Sequence, residues 1–173
     1  MSDTISVSIT LEQSVREVLS ASDLPFGSNE ADRTLRHTAL NKSVTLSATS
    51  VPKAQRAVLQ DVTIGAGITT IDFTAAPKSV SRTEDMTGKK VTACKIVTGS
   101  LNAGNVTIAH GASNPYPLFG TAKDVILGPG RTEQFAFADG VDSNLPAVAG
   151  GAKTIDISGT AADTVRLELI FGT

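Results

Sequence analysis

Few residues in this sequence could carry out chemistry, and they are scattered. His37 and His110 are the two histidines, and Cys94 is the single cysteine. A structural zinc site gathers several Cys or His side chains at short spacing, and neither histidine has a second ligand-type residue at such a spacing. They read as structural or surface histidines. Cys94, inside a strand pattern, reads as a small buried hydrophobe. Asp139-Gly140-Val141-Asp142-Ser143-Asn144 is oxygen-rich enough to hold calcium, but it lacks the full ligand pattern and the closing glutamate, so it reads as a solvated loop. Glu84-Asp85, close to Lys89 and Lys90, reads as surface charge. Gly65-Ala66-Gly67 and Gly128-Pro129-Gly130 do not precede helices and so cannot cradle a phosphate on a helix N-terminus. A Ser-His-Asp triad assembles only in three dimensions, so counting residues does not decide it. No Gly-x-Ser-x-Gly elbow occurs, however. The expectation is a protein that is not an enzyme and holds neither cofactor nor metal.

Composition narrows the classes further. Of 173 residues, 40% are hydrophobic and only 18% charged, which describes one globular chain with a lightly charged surface. The formal net charge of -2 argues against nucleic acid as a partner, because phosphate-backbone binding needs a basic face. With no Trp, one Tyr and six Phe, there is little from which to build stacking platforms for glycans or single strands. No apolar run reaches the roughly 18 residues of a membrane span, so no membrane partner is expected. One cysteine excludes an internal disulfide and suits folding in a reducing cytoplasm. Met1-Ser2-Asp3-Thr4 has neither a basic nor an apolar leader region, so no signal peptide is expected.

The elements that position these residues read as strands. Val125, Ile126 and Leu127 form a short β-favouring run, and Gly128-Pro129-Gly130-Arg131 fits a type II turn. Pro129 presets φ at the first central position and Gly130 supplies positive φ at the second. Such a turn splays a tight hairpin, which predicts a wider loop or a corner between sheets. Glu133, Phe135 and Phe137 then share one face at period two. Phe135 and Phe137, with Val125 and Leu127, are the expected core anchors.

Elsewhere, Ile5, Val7 and Ile9 alternate with polar residues as an opening strand. Leu11 to Ser20 fits either a strand or a short helix, and Ser20 to Arg33 reads as a loop. Val44, Leu46 and Ala48 form one face of the next strand. Further strands are expected over Ala57–Ile64, Ile68–Thr74, Lys90–Thr98, Asn105–Ala109, Lys153–Ser158 and Thr164–Phe171, with Gly111–Gly120 an ordered loop. About ten short strands with Gly and Pro punctuation predict an all-β sandwich of jelly-roll type. An internal echo supports this. Gly65-Ala66-Gly67-Ile68-Thr69-Thr70-Ile71-Asp72-Phe73-Thr74 resembles Gly150-Gly151-Ala152-Lys153-Thr154-Ile155-Asp156-Ile157-Ser158, and two equivalent strand entries suit paired Greek keys. Residues 1–49 are expected as a strand-bearing arm and 50–173 as the sandwich body.

Three stretches carry a family likeness. They are Asn105-Val106-Thr107-Ile108-Ala109-His110-Gly111-Ala112-Ser113-Asn114-Pro115-Tyr116, the Leu127-Gly128-Pro129-Gly130 turn with Phe135-Ala136-Phe137, and Ala152-Lys153-Thr154-Ile155-Asp156-Ile157-Ser158-Gly159-Thr160. From about Lys42 onward the chain resembles a loose group of small β-rich virion proteins of tailed bacteriophages, found among head and decoration proteins. The resemblance implies a structural role on the capsid surface, in contact with the major capsid protein, and transfers no functional residues. A tail, baseplate or fibre-associated module, including a receptor-binding one, is the alternative expectation. The arm residues Ile5, Val7, Ile9, Leu11, Val15 and Leu19 are too apolar to leave in water and are expected to pack on the body, on another copy or on the capsid lattice. A closed homo-oligomer, most simply a trimer on a local threefold axis, is expected.

Overall fold

The computed structural model describes residues 7–11, 15–19, 33–37, 42–75, 78–79, 82–83, 85–121, 123–136, 140 and 143–173. The chain divides into two compact units, one holding Ser8–Val44 and the other Met1–Val7 with Thr45–Thr173. β2 (Val15–Leu19) and β3 (Arg33–His37) pair antiparallel within the Ser8–Val44 unit, and β1 (Val7–Leu11) pairs with β4 (Lys42–Leu46). The helix left open over Leu11–Ser20 does not form among the described residues there: Leu11 closes β1 and Val15–Leu19 is strand. The four-residue spacing of Leu11, Val15 and Leu19 fits both periods, and pairing with β3 selects the extended one. Ile5 lies outside the described residues. In β4, Val44 and Leu46 are buried and Ser43 and Thr45 exposed, whereas Ala48 sits exposed in the turn that follows.

The body is an all-β sandwich, and no helix occurs among its described residues. Its eight principal strands are β5 (Arg56–Thr63), β6 (Thr69–Asp72), β9 (Lys90–Thr98), β10 (Val106–His110), β11 (Val125–Leu127), β12 (Thr132–Ala136), β13 (Thr154–Ser158) and β14 (Thr164–Gly172). A two-stranded ribbon, β7 (Lys78–Ser79) with β8 (Arg82–Thr83), interrupts the passage from β6 to β9. One sheet has the order β12-β9-β14-β5 and the other β11-β10-β13-β6. Counted in sequence, the eight strands therefore run 6-3-8-1 and 5-4-7-2, all antiparallel, which is the jelly-roll winding of two Greek keys.

Alternation builds the core. Val165, Leu167, Leu169 and Phe171 of β14 face inward, with Cys94 and Ile96 of β9 beside them in register. From the other sheet come Ile71, Val106, Ile108, Leu127, Ile155 and Ile157. Aromatic packing centres on Phe73, whose ring stands edge-on to Tyr116 and to Phe171, both at 5.3 Å between centroids. All three rings are fully buried. A bulge lies opposite Ile170/Phe171, where Thr92 is the unpaired residue of β9 and its hydroxyl donates to the Ile170 carbonyl at 3.2 Å.

Gly128–Arg131 is a corner: β11 ends in one sheet and β12 begins in the other. Gly130 adopts φ 66°, which its missing side chain permits. The corner is fastened to the end of β9. Gly130 N donates to Gly99 O at 3.0 Å, Arg131 N to Thr98 Oγ1 at 2.9 Å, and Thr98 Oγ1 to Gly128 O at 2.7 Å.

Candidate functional site

The expected site residues separate in space. Leu127 is buried, Val125 is half-buried against the core, and Pro129 and Gly130 are exposed on the corner. Phe135 is half-buried and packs on the core from its margin, edge-on to Phe119 at 5.1 Å. It lies on the edge strand β12, which only one neighbouring strand covers, so its ring meets the seam between the sheets rather than the centre. Phe137 lies outside the described residues, as do Asp139, Val141, Asp142 and Glu84. Of the arm, Val7, Ile9 and Leu11 lie on β1, and Val15 and Leu19 on β2.

Missed by sequence reading was Tyr116, which sits in the Gly- and Pro-rich loop after β10. Its hydroxyl accepts from Val91 N and donates to Pro146 O, both at 3.0 Å. Burial pushes its phenol up to about 12, against the opposing pull of the Val91 amide. Pro115 and Tyr116 were within the stretch that carried the phage likeness, but periodicity gave no sign that a loop residue closes the core.

Polar side chains on the body pair across its strands. On the outer face of the β12-β9-β14-β5 sheet, Arg166 grips Asp61 through two contacts of 2.6 and 3.1 Å, and Lys95 meets Glu168 at 3.4 Å. Both are direct cross-strand pairs in the register. Partial burial works to raise the Asp72 carboxyl, but Lys153 Nζ at 2.6 Å and the Thr74 hydroxyl and amide outweigh it and hold it at about 2. Burial, with the Glu168 charge nearby, pushes the Cys94 thiol far up. His110 Nδ1 stands 3.8 Å from Asp124 Oδ1 and has no hydrogen-bond partner among the described residues. No group of three or more His, Cys, Asp or Glu side chains gathers as metal ligands among the described residues, and His37 lies on β3 in the other unit.

What the body does present is an open apolar groove of about 510 Å³ at the β12 seam. Among the described residues, Val91 and Cys94 of β9, Leu118, Phe119, Phe135 and Leu145 line it, and none of the described lining side chains is charged. The Phe119–Phe135 pair forms part of its wall. Cys94, the one thiol of the chain, is buried in this lining with its pKa pushed far up, and the rest of the described groove wall is mostly apolar. The groove offers a place to bury apolar surface.

No protein-family model and no curated protein matches the chain. Among solved structures, it is similar to a chain of Bacillus endospore appendages, which form a novel family of disulfide-linked pili, at 19% identity and a TM-score of 0.41. The match covers 72% of this chain and 90% of that one.

Proposed function

We propose that the protein is a structural component of a tailed-phage virion, a decoration or cement protein that binds the major capsid protein and associates with its own copies. The observation that carries this reading is the groove. A jelly-roll body with a groove at a sheet seam, apolar and aromatic-walled among its described residues, is equipped to contact other protein surfaces. The likeness of Asn105–Tyr116, the Leu127–Gly130 corner and Ala152–Thr160 to phage head proteins supplies the setting. Low surface charge favours close packing among like subunits, because few charges must be desolvated.

In this reading the unit Ser8–Val44 faces the capsid. Its described residues include the two-stranded ribbon of β2 and β3, and such ribbons are marginal by themselves in water and gain from a surface that covers them. The test is addition of the purified chain to phage heads that lack it, followed by density-gradient separation and imaging. The expected result is regular decoration of heads, at a fixed number of copies per capsomer. Recovery with tails or baseplates and none with heads would replace this reading with the tail-associated one.

A further inference from the structure

Leu101 is 97% exposed, the most exposed large hydrophobic side chain among the described residues. Surface hydrophobic residues scattered singly are ordinary. This one is different because its loop is held tightly. Gly99 N donates to Thr164 O at 3.0 Å, and Asn102 N to Gly99 O at 3.3 Å. Asn102 then clasps the Thr164 backbone from both sides, accepting from its N–H at 2.8 Å and donating to its carbonyl at 2.9 Å. Ala103 N donates to Asp163 Oδ1 at 2.6 Å. These bonds hold the loop backbone that carries the leucine, so little backbone freedom remains to be lost when the side chain is covered.

We propose that the body associates head to tail, with Leu101 of one copy seated in the apolar groove of the next. Leu101 follows the C-terminal end of β9, while the groove is lined from the opposite end of that strand, at Val91 to Cys94. Ala93 and Thr98 alone are separated by roughly 17 Å along the strand, so knob and groove cannot meet within one chain. Neither the described residues of the groove lining nor the stretch from Gly99 to Asn105 include a charged one. Exposed Pro129 and Ile126, the latter 62% exposed, lie near the same end as Leu101, next to the corner that binds Gly99. A second copy satisfies the knob and the groove together, whereas a foreign partner covers one and leaves the other in water. Two different patches joined this way make a heterologous contact, which closes into a ring when the rotation allows and otherwise continues as a filament.

This inference rests on the self-association part of the proposed function and not on capsid binding. The test uses two variants of the full chain. Leu101→Asp removes the knob, and Asn144→Glu places a charge in the groove lining at an exposed residue. Light scattering coupled to size exclusion is expected to show association of the wild type and a weakening by at least about tenfold in each variant. Unchanged melting would show that both variants are folded. Mixing the two variants is expected to give a one-to-one pair and nothing larger, because only one good knob and one good groove remain between them. Wild-type association in either variant, a mixture that stays monomeric, or a wild type that is itself monomeric at millimolar concentration would overturn the inference. Decoration of heads by the same variants would leave the capsid reading intact in each of those cases.

Discussion

Thr70 on β6 and Asp156 on β13 are direct partners in the sheet register, and the Thr70 hydroxyl donates to Asp156 Oδ1 at 2.6 Å. Around them the two Thr-Ile-Asp tracts of the sequence run antiparallel face to face. Thr70 opposes Asp156, Ile71 opposes Ile155, and Asp72 opposes Thr154. The local twofold is broken in its polar bonds. Thr154 gives its hydroxyl to the Ser113 carbonyl, and Asp72 takes Lys153 instead. Asp156 also accepts from Ala112 N at 2.9 Å, so it joins β6 to the loop after β10. Thr70→Val keeps the shape and β-branching but leaves a nearly buried carboxylate with one donor fewer, and is expected to cost about 1–3 kcal/mol by urea unfolding. A cost near zero would mean that solvent already satisfies Asp156.

Asp72 makes stability depend on acid. Its carboxyl sits at about 2 in the folded chain against an ordinary value of 3.8, so the folded state favours the ionised form. The stability this contributes is fully present above pH 3.8 and is lost as pH falls through 2. Lys153→Met removes the main charged partner and is expected to lower stability at neutral pH by about 1 kcal/mol. It should also flatten the melting profile between pH 4 and pH 2. A profile as steep as that of the wild type would assign the acid limb to other carboxylates.

Tyr116 is the only tyrosine, and the chain has no tryptophan, so its phenol can be titrated alone by ultraviolet absorbance. The expected midpoint is about 12 in the folded chain and about 10 in denaturant. Because the folded value is the higher one, the associated stability is present below pH 10 and falls away as pH rises towards 12. Tyr116→Phe keeps the stacking on Phe73 but strands the buried Val91 amide, at an expected cost of about 1–3 kcal/mol. Truncating Phe73 or Phe171 to Ala should cost about 3–5 kcal/mol. Phe135→Ala, at the half-covered seam, should cost less than either.

That ranking marks where sequence reading succeeded and where it stopped. Alternation along β14 and within the echo between Gly65–Thr74 and Gly150–Ser158 was legible because strands with one buried face write a period of two. The corner at Gly128–Arg131 was legible because Pro-Gly fixes a turn that cannot close a tight hairpin. Of the expected core anchors, Leu127 lies in the core and Val125 and Phe135 at its margin, and the aromatic centre lies elsewhere for a physical reason. Periodicity assumes that core residues come from regular strands, but Tyr116 enters from a loop and Phe73 from just beyond the end of β6. An aromatic pair on a strand signals burial, and whether that strand lies at an edge depends on pairings made with distant residues. The groove was not legible at all, because Val91–Cys94, Phe119, Phe135 and Leu145 meet only through the winding.

Gly172 tests the closeness of the chain end to the start of the body. A Cβ built there would lie 1.7 Å from the Lys53 carbonyl oxygen and 2.6 Å from its carbon, both backbone atoms with no side chain to swing aside. Gln55 N bonds the Phe171 carbonyl at 2.8 Å and fixes that approach. Gly172→Ala is therefore expected to destabilise by about 1–3 kcal/mol, with loss of the Gln55–Phe171 bond visible as faster amide exchange at Gln55. Wild-type stability would require the two segments to part freely.

Deletion of residues 1–20 separates the two kinds of contact proposed for this protein. It removes β1 and β2, the partners of β4 and β3, and leaves all eight strands of the two sheets, which lie between Arg56 and Gly172. The body core from Val58 to Phe171 keeps its Phe73–Tyr116–Phe171 packing, so cooperative unfolding and the high phenol titration of Tyr116 should persist. Head binding should be lost, because the apolar strands carrying Val7, Ile9, Leu11, Val15 and Leu19 are assigned to the capsid. Self-association should survive, because Leu101 and the groove remain. Loss of association with retained folding would move the subunit interface onto the arm. A collapse of the unfolding transition would instead make the first strands part of the body's own stability.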